Sequence, residues 1–90
     1  MKRTVLIVVA LLGCTPSAER VCARRMRVSE DRFGKLDPVS HRKGFVHCVE
    51  LAEREKRENP TRYKCRADCV LDYKHLEDVG DCESKCPPSR

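Results

Sequence analysis

Two Cys-x3-Cys pairs, Cys65-Arg66-Ala67-Asp68-Cys69 and Cys82-Glu83-Ser84-Lys85-Cys86, stand twelve residues apart near the end of the chain. On a helix, residues four apart lie on one face, nearly one above the other. If the chain reverses between the pairs, Cys69 meets Cys82 near the turn and Cys65 meets Cys86 further out. The result is an antiparallel helical hairpin clasped by two covalent rungs, with Cys22 and Cys48 left to tie a first helix to a second. A competitor stays open: if the segments on either side of Asn59-Pro60 are antiparallel, Cys48 falls roughly opposite Cys69, and six cysteines allow fifteen connectivities.

Staples matter here because the core is thin. From Cys14 onward, Leu, Ile, Val and Phe supply 13 of 77 residues, about 17%, below the roughly 20% expected of a chain that buries a core. Small chains compensate with disulfides, each worth roughly 2 to 4 kcal/mol. The oxidised protein is therefore expected to fold and the fully reduced one largely not.

The start of the chain reads as an export signal: Met1-Lys2-Arg3 is positive, Val5 to Leu12 is unbroken and apolar, and Gly13 is small. The apolar run is far below the roughly 18 to 20 residues that span a bilayer. Leu11-Leu12-Gly13-Cys14 resembles a bacterial lipobox, although Leu12 stands where a small residue is more usual. That resemblance implies cleavage before Cys14, a diacylglycerol group on its sulfur and acylation of its new amino group. Thr15, in place of Asp after the lipidated cysteine, then implies the outer membrane where the cell has one. An ordinary secretory cut after Ser17 or Ala18 would instead discard Cys14. Either way Cys22, Cys48, Cys65, Cys69, Cys82 and Cys86 remain, an even set that suits an oxidising compartment. The expected organisation is a signal peptide over 1–13, a lipid anchor and tether over 14–19, and a disulfide-rich domain over 20–90.

Within that domain the periodicity is helical throughout. Thr15-Pro16 reads as a helix start, and Ala18, Val21, Cys22 and Met26 recur at helical spacing to about Val28. Arg20, Arg24 and Arg27, with Arg25 beside them, form a basic face that is either solvated or lies near an anionic membrane, where each charge is worth roughly 1 kcal/mol. Ser29 to Val39 reads as a loop with Phe33 and Leu36 tucked back. Asp37 before Pro38, or Ser40, can cap a second helix, whose stripe is Phe45, Cys48, Val49 and Ala52. Gly44 weakens its start, and Glu50 to Glu58 forms a charged, solvated end with Glu50/Arg54 and Glu53/Arg57 pairs.

Asn59-Pro60-Thr61 ends that helix and starts a third, running through Cys65, Cys69, Tyr73 and Leu76. Gly80 marks a reversal, Asp81 caps a short last helix, and Pro87-Pro88 stops it. No strand-period alternation occurs. The expected fold is all-α, a small disulfide-stapled bundle of three to four short helices ending in a helical hairpin.

The twin Cys-x3-Cys segment, Cys65 to Cys86, resembles the plant α-hairpinins, related helical-hairpin toxins and the small mitochondrial Tim chaperones. Taken whole, the chain resembles the small cysteine-rich lipoproteins of bacterial envelopes, which implies a membrane-anchored structural or interaction role with a protein partner. The hairpinin resemblance implies the alternative, a secreted hairpin effector such as a proteinase inhibitor or toxin-like peptide, with Lys74 as the exposed basic residue. A Tim-like chaperone role would require more large apolar side chains than are present.

Enzymatic chemistry has little to stand on. There is no Gly-x-Ser-x-Gly, His-Glu-x-x-His or glycine-rich phosphate loop, so no catalytic residue, cofactor or small-molecule substrate is expected. Four thiols could hold zinc, but oxidation in an exported chain competes for them, and His41, His47 and His75 show no ligand spacing, so no metal is expected either. Four aromatic residues and basic side chains concentrated beside an anchor argue against nucleic acid.

Charge is polarised along the chain. Residues 20–43 carry eight Lys+Arg against three Asp+Glu, and residues 65–90 carry four against six. This places the basic residues Arg20, Arg24, Arg25 and Arg27 at the membrane and turns the rigid hairpin outward. Tyr73, Lys74 and Leu76, near its tip, become the candidate partner-binding residues, since pre-organised surfaces lose less entropy on association.

Overall fold

The computed structural model describes residues 15–88, which form four helices with no strand among them. The signal peptide expected over 1–13 and Cys14 lie outside the described residues. No helix among the described residues is long and apolar enough to cross a membrane.

Helix α1, Ala18–Phe33, begins two residues later and ends about five residues further on than its sequence suggests. Its cap is Ser17, whose hydroxyl accepts from the Arg20 N–H at 3.2 Å, rather than Thr15. Ser29 to Phe33 continue the helix because nothing in that stretch breaks it. The stop is Gly34, at φ 97°, whose N–H donates to the Glu30 carbonyl at 2.7 Å. Phe33 and Leu36 are not tucked back but face solvent.

Helix α2, Pro38–Glu58, starts at the first of its two possible caps: the Asp37 carboxylate accepts from the Ser40 N–H at 3.1 Å, and proline occupies the first turn. Helix α3, Pro60–Asp72, follows after a single residue. Asn59 closes one helix by donating its N–H to Glu55, at 2.7 Å, and opens the next by accepting from the Arg62 N–H at 3.1 Å. The tail returns to this corner, where Asn59 and Arg62 donate to the Pro88 and Pro87 carbonyls.

Helix α4, Leu76–Glu83, corrects the expected reversal. Gly80 and Asp81 lie inside it, and the chain turns at Tyr73–His75 instead. Rung geometry requires this, because a turn at Gly80 would set Cys69 eleven residues before it and Cys82 only two after it. Helix α3 consequently ends at Asp72, and Tyr73 and Leu76 fall outside it.

Three disulfides tie the helices: Cys22–Cys48, Cys65–Cys86 and Cys69–Cys82, with Cα separations of 5.9, 5.8 and 5.7 Å. This is the pairing of the hairpin arrangement. The core is a cluster of Val21, Val28, Tyr63, Ala67, Val70 and Val79, with Ala52 and Leu76 packed against it. Tyr63, Ala67 and Val70 recur at i, i+4, i+7, a second stripe on α3 beside the cysteine face. Helix α2 has no buried residue. Its attachment therefore leans on Cys48, which is bonded to fully buried Cys22, and on close approach at Gly44. A Cβ there would sit 3.2 Å from the Met26 methyl.

Candidate functional site

The residues expected to face a membrane and those expected to face a partner are neighbours in the fold. Arg24 donates to the Tyr73 carbonyl at 3.2 Å, so the basic face of α1 lies against the hairpin tip rather than opposite it. Arg25 turns inward and binds Glu83 of α4 through contacts of 2.6 and 3.4 Å. Arg32 reaches Glu77 at the start of α4, at 3.1 Å. The basic first half and acidic last half of the chain thus pair with each other. Arg20 and Arg27 remain exposed.

At the centre of this pairing is a chain of alternating charge. Glu83 accepts from both Arg25 and Arg66, Arg66 also donates to Glu55 at 3.0 Å, and Arg62 Nε lies 3.2 Å from Glu55 without the alignment of a hydrogen bond. Burial pushes the Glu83 carboxyl up, but the Arg25 hydrogen bond and the charges of Arg25 and Arg66 outweigh it and hold the group below its ordinary value. Arg66 has the mirror situation, its burial outweighed by Glu83 and Glu55. Glu55 belongs to the run expected to be solvated, and its half-buried place between Arg62 and Arg66 corrects that reading at this position. The i, i+4 pattern pointed to Glu50/Arg54 and Glu53/Arg57, neither of which is among the ion pairs of the described residues, and nothing local points to Arg62 or Arg66.

Beside the network lies an open groove of about 460 Å³ between α1, α2 and α3, lined by Val21, Ala52 and Ala67 and by Arg25, Glu55 and Arg66. Its charged groups already satisfy one another. The Cys65, Cys69 and Cys86 sulfurs gather within 4.8 Å because two rungs are adjacent, and sulfurs held in disulfides are not thiolate ligands.

Of the three tip residues, Tyr73 is 43% exposed and Lys74 is exposed, whereas Leu76 packs against the core. The tip therefore offers Tyr73 and Lys74, with Leu76 beneath them as support.

The residues expected to be a tether belong to the domain from Pro16 onward. The buried Tyr63 hydroxyl donates to the Pro16 carbonyl at 2.7 Å, Ser17 caps α1, and Ala18 is fully buried. Tyr63 was not evident as an anchor from the sequence, although its place in the i, i+4, i+7 stripe was the available signal. Burial, then the charges of Glu53, Glu19 and Glu55, push its phenol above the ordinary value.

Comparison with protein-family models, with curated proteins and with solved structures finds no match to this chain.

Proposed function

We propose that this protein is a non-enzymatic, membrane-anchored lipoprotein of the bacterial envelope, a disulfide-stapled helical module that presents a surface to a protein partner. One observation carries the reading: the six cysteines from Cys22 to Cys86 pair among themselves. Cys14 is left over, at the place where Leu-Leu-Gly-Cys resembles a lipobox. An odd cysteine on an exported chain is available for modification. Acyl chains on both its sulfur and its amino group would meet the two-signal requirement for stable anchoring.

The packing around Pro16 favours a cut before Cys14 over the ordinary secretory cut. Cleavage after Ser17 or Ala18 would remove the cap of α1 and the carbonyl that satisfies the Tyr63 hydroxyl. With Pro16 already packed, Thr15 is the whole tether, and the domain rides close to the bilayer. The protein surface offered to a partner is the tip at Tyr73 and Lys74.

The test is the mass of the mature N-terminus isolated from its own cells. Acyl chains on Cys14, lost together with membrane fractionation in Cys14→Ser, are the expected result. An unacylated chain starting at Ala18 or Glu19 would favour the secreted hairpin effector, the reading that draws on exposed Lys74.

A further inference from the structure

At the corner between α1 and α2, three large apolar side chains stand in water: Phe33 is 73% exposed, Leu36 51% and Val39 63%. Single exposed apolar residues are ordinary on any surface. Three around one turn, in a protein whose core is a handful of valines and one tyrosine, are a concentration that the fold leaves unburied. The turn is rigidly specified on both sides, by Gly34 at φ 97° and by the Asp37 cap with Pro38.

Basic charge is in excess around this patch: of the acidic groups beside it, Glu77 is paired with Arg32 and Glu30 lies 3.6 Å from His41, which leaves Asp31 as the exposed acid two residues before Phe33. Arg32, Lys35, Arg42 and Lys43 are all exposed, and the only acidic residue between positions 32 and 43 is Asp37, whose carboxylate is engaged by Ser40. The Arg32 guanidinium sits 5.6 Å from the Phe33 ring centre while its Nε reaches Glu77. Apolar side chains interleaved with Lys and Arg suit the boundary between lipid headgroups and acyl chains. There the rings and branched chains enter the apolar layer, while the long basic stems carry their charges back to the phosphates.

The geometry points to the α1–α2 corner, Phe33, Leu36 and Val39 ringed by Arg32, Lys35, Arg42 and Lys43, as a docking surface for an anionic lipid bilayer. An apolar protein surface would cover the same three side chains but would have to supply separate acidic partners for the ring. An anionic bilayer supplies both from one source. Helix α1 has 16 residues, so the corner lies roughly 24 Å from the helix start. Engagement of the corner together with an anchor at Cys14 lays α1 along the membrane. The inference shares a membrane with the proposed function but rests on the corner's own residues.

The chain contains no tryptophan, so Phe33→Trp introduces a unique reporter into the full protein. Reconstituted with mixed phosphatidylcholine and phosphatidylglycerol vesicles, it is expected to shift its emission to the blue and to be quenched by lipid-borne quenchers but not by aqueous ones. Tyr73→Trp, at the hairpin tip, is expected to stay accessible to water. Lys35→Gln with Lys43→Gln, far from the core, should weaken vesicle binding of the Cys14→Ser protein by roughly twenty- to thirtyfold, about fivefold for each charge removed. A water-accessible Trp at position 33 overturns the inference even when Cys14 proves to be acylated. A lipid-embedded one sustains it even when Cys14 is not. A blue shift that follows protein concentration in the absence of vesicles, with a dimer mass, assigns the patch to a second copy and also overturns it.

Discussion

Arg25 and Glu83, 58 positions apart in the chain, meet through a pair of hydrogen bonds, the shorter 2.6 Å long. The contact joins the first helix to the last, and Arg66 and Glu55 extend it to the other two. With so little apolar surface to bury, the four helices share a charge network as well as a core.

Glu83→Gln keeps the shape of the side chain and removes the charge that Arg25 and Arg66 share. The loss is expected to be about 1 to 2 kcal/mol, since hydrogen bonds to charged groups exceed neutral ones. That corresponds to a fall in Tm of roughly 5 to 15 °C. An unchanged Tm by circular dichroism would mean that the network is only a surface ornament.

The same residue sets an acid limb. The folded carboxyl is held below the 4.5 of the free group, so its contribution is complete above that value. It is lost as pH falls through the lower, folded value, because the unfolded chain takes up the proton first. Asp37, held low by the Ser40 side chain and N–H, acts in the same direction. Thermal melts followed downward from neutral pH should show Tm falling below about 4.5, and a shallower fall in Glu83→Gln.

Helix α2 depends on its staple more than any other element, having no buried residue of its own. Removing both Cys22 and Cys48 as alanines frees a loop of 26 residues, with an expected cost of about 3.5 kcal/mol. Limited proteolysis should then cut first within 38–58 while the Cys65 to Cys86 hairpin stays whole. Full reduction should abolish the cooperative melt. Retention of native helical circular dichroism after reduction would contradict this account.

Two glycines are expected to respond with opposite signs. Gly34 sits at φ 97°, where a side chain is strained, so Gly34→Ala should cost roughly 1 kcal/mol. At Gly44 a Cβ meets only the flexible end of Met26, at 3.2 Å, which can yield. Gly44→Ala should therefore gain most of the roughly 0.8 to 1 kcal/mol that helix propensity offers. Chemical denaturation of the two variants beside the parent decides both.

Tyr63→Phe removes the buried hydrogen bond to Pro16 and should cost about 0.5 to 1.5 kcal/mol. Hydrogen exchange near the start of α1 should rise more than anywhere else. A uniform change across the protein would show that the hydroxyl acts on global stability and does not hold the chain's entry into the domain.

The starts of α2 and α3 were legible because capping is local: Asp37-Pro38 and Asn59-Pro60 each place an oxygen within reach of an N–H three residues on. The cysteine rungs were legible as the leading arrangement for a similar reason, since spacing on a helix limits which sulfurs face one another. The competing apposition of Cys48 and Cys69 was closed only by the packing of the helices. The same reasoning applied to Gly80 misplaced the turn, because glycine is tolerated inside a helix when disulfides on both sides dictate where the chain must reverse. The loop expected at Ser29 to Val39 proved helical over 29–33 and 38–39, the stop of α1 being Gly34, the single residue among those described that adopts positive φ.

What the sequence alone determined was the helical class and the starts of α2 and α3, and it pointed to the covalent hairpin as the leading arrangement, all products of interactions spanning a few residues or one turn. Which arginines face water was decided only by the tertiary structure. Arg20 and Arg25 are near neighbours in sequence, but one is exposed and the other is committed to Glu83. The pairing of Glu55 with Arg62 and Arg66, the anchoring of Pro16 by Tyr63 and the apposition of Arg24 and Tyr73 are of the same kind. Each depends on partners brought together by the packing of separate helices, and an ion pair or hydrogen bond formed across that distance leaves no periodic trace in the chain.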